Sequence, residues 1–362
     1  MSILKVDTLR NSVGENLVFG NKNLLINGSQ SVWQRSTSTS VSTDIYSTVD
    51  RWKTRVSSMG AFTISRSTDV PSGQGFGYST KWDCTTADAS PAAGDFLQMQ
   101  QRIEGQNLQH ILKGDSSNAK KLTLSFWVKS NKTGTYIASL FDNDNTRRIS
   151  KSYTISSAST WEKKTITFDG DTTGTLDNDN AGSLYLELWL GSGSTYTSGT
   201  LATSWESNTA ANVAVGQVNL ADSTSNEFFL TGCQLEVGSK ATDFEFEPYE
   251  TVLKKCQRYY FENREGGIFG TASNSSNCIF RQPFPVTMRI APALSLGGGG
   301  VRIGDMVSVA FSANSPAVVT NYNGPHVGGA RISGFGGLTS YRTYLLEPSV
   351  SLDGYVKFSA EL

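Results

Sequence analysis

The chain has 362 residues, more than one hydrophobic core usually serves, which predicts two or three domains. Hydrophobic residues make up 38 %, and 35 glycines stand among abundant Ser and Thr, a composition of many turns and exposed strands that favours an all-β fold. A formal net charge of -1 supplies no overall basic field, and no apolar run approaches the ~18 to 20 residues that span a bilayer, so neither nucleic-acid binding nor membrane insertion is expected.

Residues 1 to 22 hold two short apolar segments around a turn-like NSVGE. Alternation in ILKVDTL puts Leu4 and Val6 on one side, with Leu9, Val18 and Phe19 as further apolar points. A strand this short has little capacity to fold alone. It either joins the following domain or is an arm that docks on a neighbouring protein. The opening MSILKVDTLRN lacks the basic and apolar segments of a secretory signal, so the product is expected to be made and kept in a cytosol until it assembles. The widely spaced Cys84, Cys233, Cys256 and Cys278 are then expected to be free and partly buried.

From residue 23 to 250 the chain repeats strands of four to eight residues bounded by Gly, Asn, Asp and Ser. In LTLSFWVK, Leu122, Leu124, Phe126 and Val128 share one face; in LYLELWL, Leu184, Leu186, Leu188 and Leu190 do. AFTIS at 61 to 65, FLQMQQRI at 96 to 103, TITF at 165 to 168 and FFLTGCQLEV at 228 to 237 read alike. Half-buried antiparallel strands need a second sheet over the dry face, which gives a jelly-roll β-sandwich. The stretch from Thr231 to Tyr260 closes this unit, with a short helix linker expected from Glu250 to Tyr260, where Val252, Leu253, Cys256 and Tyr260 have helical spacing. Residues 251 to 362 then form a small carboxy-terminal β domain, with strands expected around 278 to 290, 305 to 311, 316 to 320, 341 to 352 and 354 to 361. In its Gly- and Asn-rich loops Tyr322, His326, Tyr341 and Tyr344 are expected to be exposed.

Signatures of chemistry are weak. The runs GGGGVRIG and GFGGLTS lack GxxxxGK[ST], there is no GxSxG, and His110 and His326 alone supply imidazole. In DGDTTGTLDNDN, Asp169, Asp171 and Thr173 alternate before Gly174 as in a calcium loop, but the twelfth position is Asn180 where a bidentate Glu is needed. Glu104, Glu187 and Glu206 are conceivable glycosidase carboxylates, with nothing in the sequence to pair them. No metal, cofactor or catalytic residue is expected. The more informative pattern is aromatic: Trp127, Tyr185 and Trp189 lie opposite the leucine faces, beside Gln98, Gln100, Arg102 and Glu187 if their strands share a sheet. Such rings flanked by polar groups hold sugars, anchor another subunit or domain, or are simply half-buried, and all three readings stay open. Trp33, Trp52, Trp82 and Trp161 are expected to be packing residues.

Six ordered stretches, NLLINGSQSVWQRSTS at 23, TVDRWKTR at 48, LQMQQRIEG at 97, KKLTLSFWVKSNKTGTY at 120, VGQVNLADSTSNEFFLTGCQLEVGSKATDFEFEPYE at 215 and CQRYY at 256, resemble bacteriophage tail-fibre or virion-appendage proteins of the marine phage and cyanophage type. The central module of that family is a carbohydrate-binding-module-like jelly roll. The resemblance implies a virion structural protein made in the host cytoplasm and carried in the tail. It further implies a trimer held to other tail proteins through residues 1 to 22, adsorbing to a host-surface glycan by multivalent contacts and no chemical step. A purely structural connector and a polysaccharide depolymerase are the alternatives. The segment after residue 260 and the lack of shaft repeats lie outside the resemblance.

Overall fold

The computed structural model describes residues 21–298, 300–305, 310–313, 316–321, 323–347 and 355–362. Leu4, Val6, Leu9, Val18, Phe19 and Tyr322 lie outside the described residues. The chain divides into two compact units, the first ending at Pro248 and the second running from Tyr249 to Leu362.

The strands of the first unit are β1 (Ser38–Val41), β2 (Lys53–Ser57), β3 (Ala61–Ser67), β4 (Ser79–Thr86), β5 (Phe96–Glu104), β6 (Leu122–Ser130), β7 (Gly134–Asp142), β8 (Arg147–Ile155), β9 (Glu162–Phe168), β10 (Gly182–Ser192), β11 (Glu206–Ser207) and β12 (Glu227–Val237). They pair antiparallel into two six-stranded sheets, β1-β3-β4-β12-β6-β9 and β11-β8-β7-β10-β5-β2. The chain crosses repeatedly between the two, and the fold is an all-β jelly-roll sandwich. Its core is the predicted one: the Leu122 to Val128 set and the Leu184 to Leu190 set are buried in one cluster with Leu97, Met99 and Phe228. Burying each such side chain contributes about 1.5–3 kcal/mol.

Both faces of the central strands are drier than alternation implies. Thr123, Ser125 and Lys129 on β6, and Glu187 and Trp189 on β10, are buried although they point away from the core. Local segments cover them: Gly238 accepts a hydrogen bond from Thr123 Oγ1 (2.8 Å), and residues 193–217 fold over the Trp189 end of β10.

The first described segment completes the sandwich. β4 pairs with Glu227–Leu230 of β12, and beyond it Leu24 N donates to Leu235 O (2.8 Å) and Cys233 N to Gly28 O (2.9 Å). From the facing sheet the Gln101 amide pairs both backbone groups of Ile26 (2.7 and 2.9 Å), standing in for a strand. A buried polar knot follows. Asn27, at φ +59°, accepts from Ser31 N and Val32 N and donates to Val32 O and Asp50 O. Asp50 accepts from Arg35 (2.8 Å) and Gln34 Nε2 (2.8 Å), while Arg51 donates to Arg102 O (2.8 Å). Trp33, Trp52 and Trp82 are buried, as expected.

In the second unit a nine-residue helix, Tyr249–Gln257, buries Val252 and Cys256, so it is packed structure and more than a linker. Among the described residues ten strands follow: β13 (Tyr260–Asn263), β14 (Ile268–Ala272), β15 (Asn277–Pro283), β16 (Ala293–Gly297), β17 (Val301–Gly304), β18 (Ala310–Ala313), β19 (Ala317–Asn321), β20 (Val327–Ser333), β21 (Thr343–Glu347) and β22 (Tyr355–Ser359). They form the sheets β13-β22-β16 and β18-β17-β21-β14-β15-β20-β19. The strand expected over 278 to 290 stops at Pro283, and β20 was hidden by its glycines. A Cβ on Gly328 would stand 2.2 Å from the Phe358 ring, so the strand is bare where that ring packs. All four cysteines are free and buried. Burial pushes the Cys278 thiol up to about 12.

Asp50→Ala should lower the unfolding free energy by about 3–5 kcal/mol, because it removes the buried carboxylate that Arg35 and Gln34 bond in the knot. Asp169→Ala, which breaks the exposed pair with Lys121, should cost about 1 kcal/mol or less. Denaturant titration of the two variants measures the contrast.

Candidate functional site

The six candidates on β5 and β10 fall into direct register. Tyr185 faces Arg102, Glu187 faces Gln100 and Trp189 faces Gln98. On the other side of β10, Tyr185, Glu187 and Trp189 face Phe141, Ser139 and Ile137 of β7. Beyond these lie Arg148 and Ser150 on β8, and Lys53 and Arg55 on β2. Trp127 is elsewhere. It sits on β6 of the other sheet, half-exposed between Lys163 and Thr231, which corrects the expectation of one shared aromatic face. Trp161 packs edge-on against Phe229, and its Nε1 donates to Asp69 (2.9 Å).

Three rows cross this sheet. The first sets two rings between two guanidiniums: the Arg148 guanidinium lies 4.7 Å from the Phe141 centroid, Phe141 and Tyr185 are 5.8 Å apart, and Arg102 lies 4.7 Å from the Tyr185 centroid. The second is a closed polar network. Glu187 accepts from Gln100 Nε2 (2.9 Å) and is ion-paired to Arg148, while Gln100 Oε1 accepts from Arg102 Nε (2.7 Å). The Ser139 and Ser150 hydroxyls bond to each other at 2.8 Å. The third row is closed to ligands. Trp189 is 2 % exposed, packed against Phe96 and Tyr196 with Ile137, Val213 and Ala214 in a small satellite core. Of the expected rings, only Tyr185 is left partly open on this face.

The sequence reading missed Phe141, Arg148, Lys53 and Arg55. Alternation in TYIASLFD, where Ile137, Ser139 and Phe141 share a side, was the available signal for the first. At the β2 edge Asp44 pairs with Arg55 (3.0 Å) and Lys53 (3.6 Å). Burial first, and then the neighbouring Arg102 charge, hold the Lys53 ammonium below its usual value against the pull of Asp44. Of the conceivable glycosidase carboxylates, Glu187 is fully engaged, Glu104 accepts from Gln106 Nε2 (2.6 Å) and Glu206 from Asn212 Nδ2 (2.8 Å).

The loop resembling a calcium site has its own cation. Lys113 Nζ lies 2.6 Å from Asp142 and 3.0 Å from Asp171, and donates to the carbonyls of Thr173 and Gly174 (both 2.8 Å). Among the described residues no cluster of three or more His, Cys, Asp or Glu is placed to hold a metal ion.

In the second unit His326 is exposed, with Nδ1 3.2 Å from Thr287 Oγ1, and Tyr341 is 87 % exposed at φ +65°. Tyr344 is not a loop residue. It lies on β21 at 1 % exposure, its hydroxyl accepting from Thr339 N (2.9 Å), because the strand turns it into the core.

No family model matches the sequence, and no curated protein does. Among solved structures, the enzymatically active domain of tailspike protein 4 from bacteriophage CBA120 aligns at 14 % identity and TM-score 0.31, over 60 % of this chain and 22 % of that one. The carbohydrate-binding module TmCBM61, solved with β-1,4-galactotriose, aligns at 11 % identity and TM-score 0.29, over 60 % of this chain and all of that one. The family 11 carbohydrate-binding module of Clostridium thermocellum Lic26A-Cel5E aligns at 14 % identity and TM-score 0.29, over 57 % and 99 %. Likeness at these scores carries no weight for function, which has to rest on the side chains themselves.

Two outcomes follow. Trp189→Ala should cost about 3–5 kcal/mol and expose amides of residues 193–217 to hydrogen exchange, whereas Tyr185→Ala should cost less. Burial alone would raise the Asp171 carboxyl, but hydrogen bonds from Arg147 and Lys113 hold it below the usual range. Its stabilising contribution is therefore complete above about pH 4, the unfolded carboxylate value, and is lost as pH falls through the lowered folded one. A thermal-melting series in acid should show that fall, and Asp171→Asn should flatten it.

Proposed function

We propose that the chain is a virion appendage protein, a tail fibre or tail-tip component, that contributes to host adsorption by non-covalent binding of a surface glycan. The row Arg148, Phe141, Tyr185, Arg102 carries this reading: the two rings give a flat apolar strip for a sugar face, and the Arg102 guanidinium beside them gives donors for its hydroxyls. The resemblance of roughly residues 20 to 260 to phage tail-fibre proteins supports the virion role. A shallow face of this kind binds weakly by itself. Assembly as a homotrimer, held through residues 1 to 22, would multiply weak contacts by a factor of about 10² to 10⁴ in avidity. Binding on this reading needs no chemical step and no cofactor.

One observation favours the connector reading. Phe76, Phe244 and Phe246 form a ring cluster with centroids 4.9 to 5.2 Å apart, and Phe246 is 55 % exposed, as interface anchors are before assembly. The full chain should sediment as a trimer and retain host cells or their extracted polysaccharide, with Tyr185→Ala and Phe141→Ala each reducing retention at least several-fold. A chain that retains no host polysaccharide leaves the connector standing. Release of reducing ends from the polysaccharide would instead establish a depolymerase.

A further inference from the structure

The charges on this face are unevenly spent. Arg148 is committed to Glu187 and, through Nε, to Asn208 Oδ1 (2.7 Å). Arg102 uses Nε on Gln100 and stacks on Tyr185, but among the described residues its two terminal nitrogens make no hydrogen bond and it faces no carboxylate in ion-pair range. Lys53 stands diagonally across from it, since Lys53 faces Gln100, two residues from Arg102 along β5. With Arg55, the β2 and β5 half of the face holds three cations, two of which, Lys53 and Arg55, share the carboxylate of Asp44, on a chain whose net charge is -1. The depressed Lys53 ammonium is what repulsion from Arg102, added to burial, produces.

We infer that the glycan held here is acidic, with a carboxylate of the sugar taken by the open fork of Arg102 beside Lys53 and the pyranose ring laid along Tyr185 and Phe141. The inference rests on the reading of this face as a glycan site and adds its ligand class. A guanidinium already oriented by stacking and by one internal hydrogen bond presents its remaining N–H groups as a planar fork, the geometry that matches a carboxylate in two parallel bonds. A neutral sugar would satisfy those donors one hydroxyl at a time and leave the positive excess uncompensated. The excess is exposed enough to be screened, so affinity for the acidic ligand should fall as salt rises.

The test uses the full chain and a matched pair of probes, oligogalacturonate and its methyl ester, which share a backbone and differ in charge. Calorimetric titration should show the free acid binding at least tenfold more tightly, with the difference shrinking as sodium chloride is raised. Arg102→Met should abolish the preference, Arg102→Lys should keep part of it, and Lys121→Met, a cation beside β6 in the other sheet, should leave it unchanged; melting curves verify that each variant is folded. Equal binding of acid and ester, or a preference that survives Arg102→Met, overturns the inference. Binding of neutral host polysaccharide without the acidic probe overturns the inference alone, and binding of none of these removes the glycan reading with it.

Discussion

The carboxylate of Glu187 sets the terms for the whole outer face of its sheet. It stands at the middle of β10 and is 2 % exposed, so its charge has to be met by protein. Arg148 and Gln100 meet it from the two flanking directions, one reaching across β7 and the other from β5. Those commitments propagate. Arg148 is drawn over Phe141, Gln100 turns its carbonyl to Arg102, and Arg102 is held over Tyr185. The buried row thus orients the row of rings and guanidiniums beside it, and the arrangement of charge follows from one desolvated acid.

Two of the stretches that carry the family resemblance lie away from that row, whereas LQMQQRIEG supplies Arg102 to it and Gln100 to the buried row beside it. NGSQSVWQR and TVDRWK meet in the knot where Asn27 closes the loop to Val32 and Asp50 gathers Arg35 and Gln34. Their side chains are absorbed in satisfying backbone groups at left-handed and sharply turned positions such as Asn27, Gln30 and Arg51. Buried polar groups in a fold like this leave few acceptable substitutes, since each lost partner strands another. Those two stretches therefore report how the sandwich is closed. Of the row of rings and guanidiniums, Arg102 belongs to another of the stretches, LQMQQRIEG, while Phe141, Arg148 and Tyr185 lie outside them all.

Much of the sandwich was legible because period-two alternation is a local property: the inward leucines of β6 and β10 could be read without knowing what they faced. Register was not local. That Tyr185 would lie against Arg102 and Glu187 against Gln100 depended on β5 and β10 being neighbours, and Trp127 was grouped with them only because alternation cannot say to which sheet a strand belongs. Burial of outer faces was equally hidden, since the covering of Trp189 comes from a loop after β10 whose composition, GSGSTYTSG, reads as solvent. In the second unit the same limit worked in reverse. Glycines in VGGARIS concealed a strand, and loop-like flanks concealed that Tyr344 points inward.

Two cations separate structural from available charge in this molecule. Lys113 has four oxygens around its ammonium, two from carboxylates and two from carbonyls, and the loop that resembles a calcium site is thereby filled by the chain itself. Arg102 is the opposite case, fixed in place by a ring and a side-chain amide but supplied with no anion among the described residues. Fixing a cation costs conformational entropy, and here that cost is met without the ion pair that usually accompanies it. An oriented, half-exposed guanidinium with donors still open is thus already preorganised for an anion from outside, and little further ordering would oppose binding.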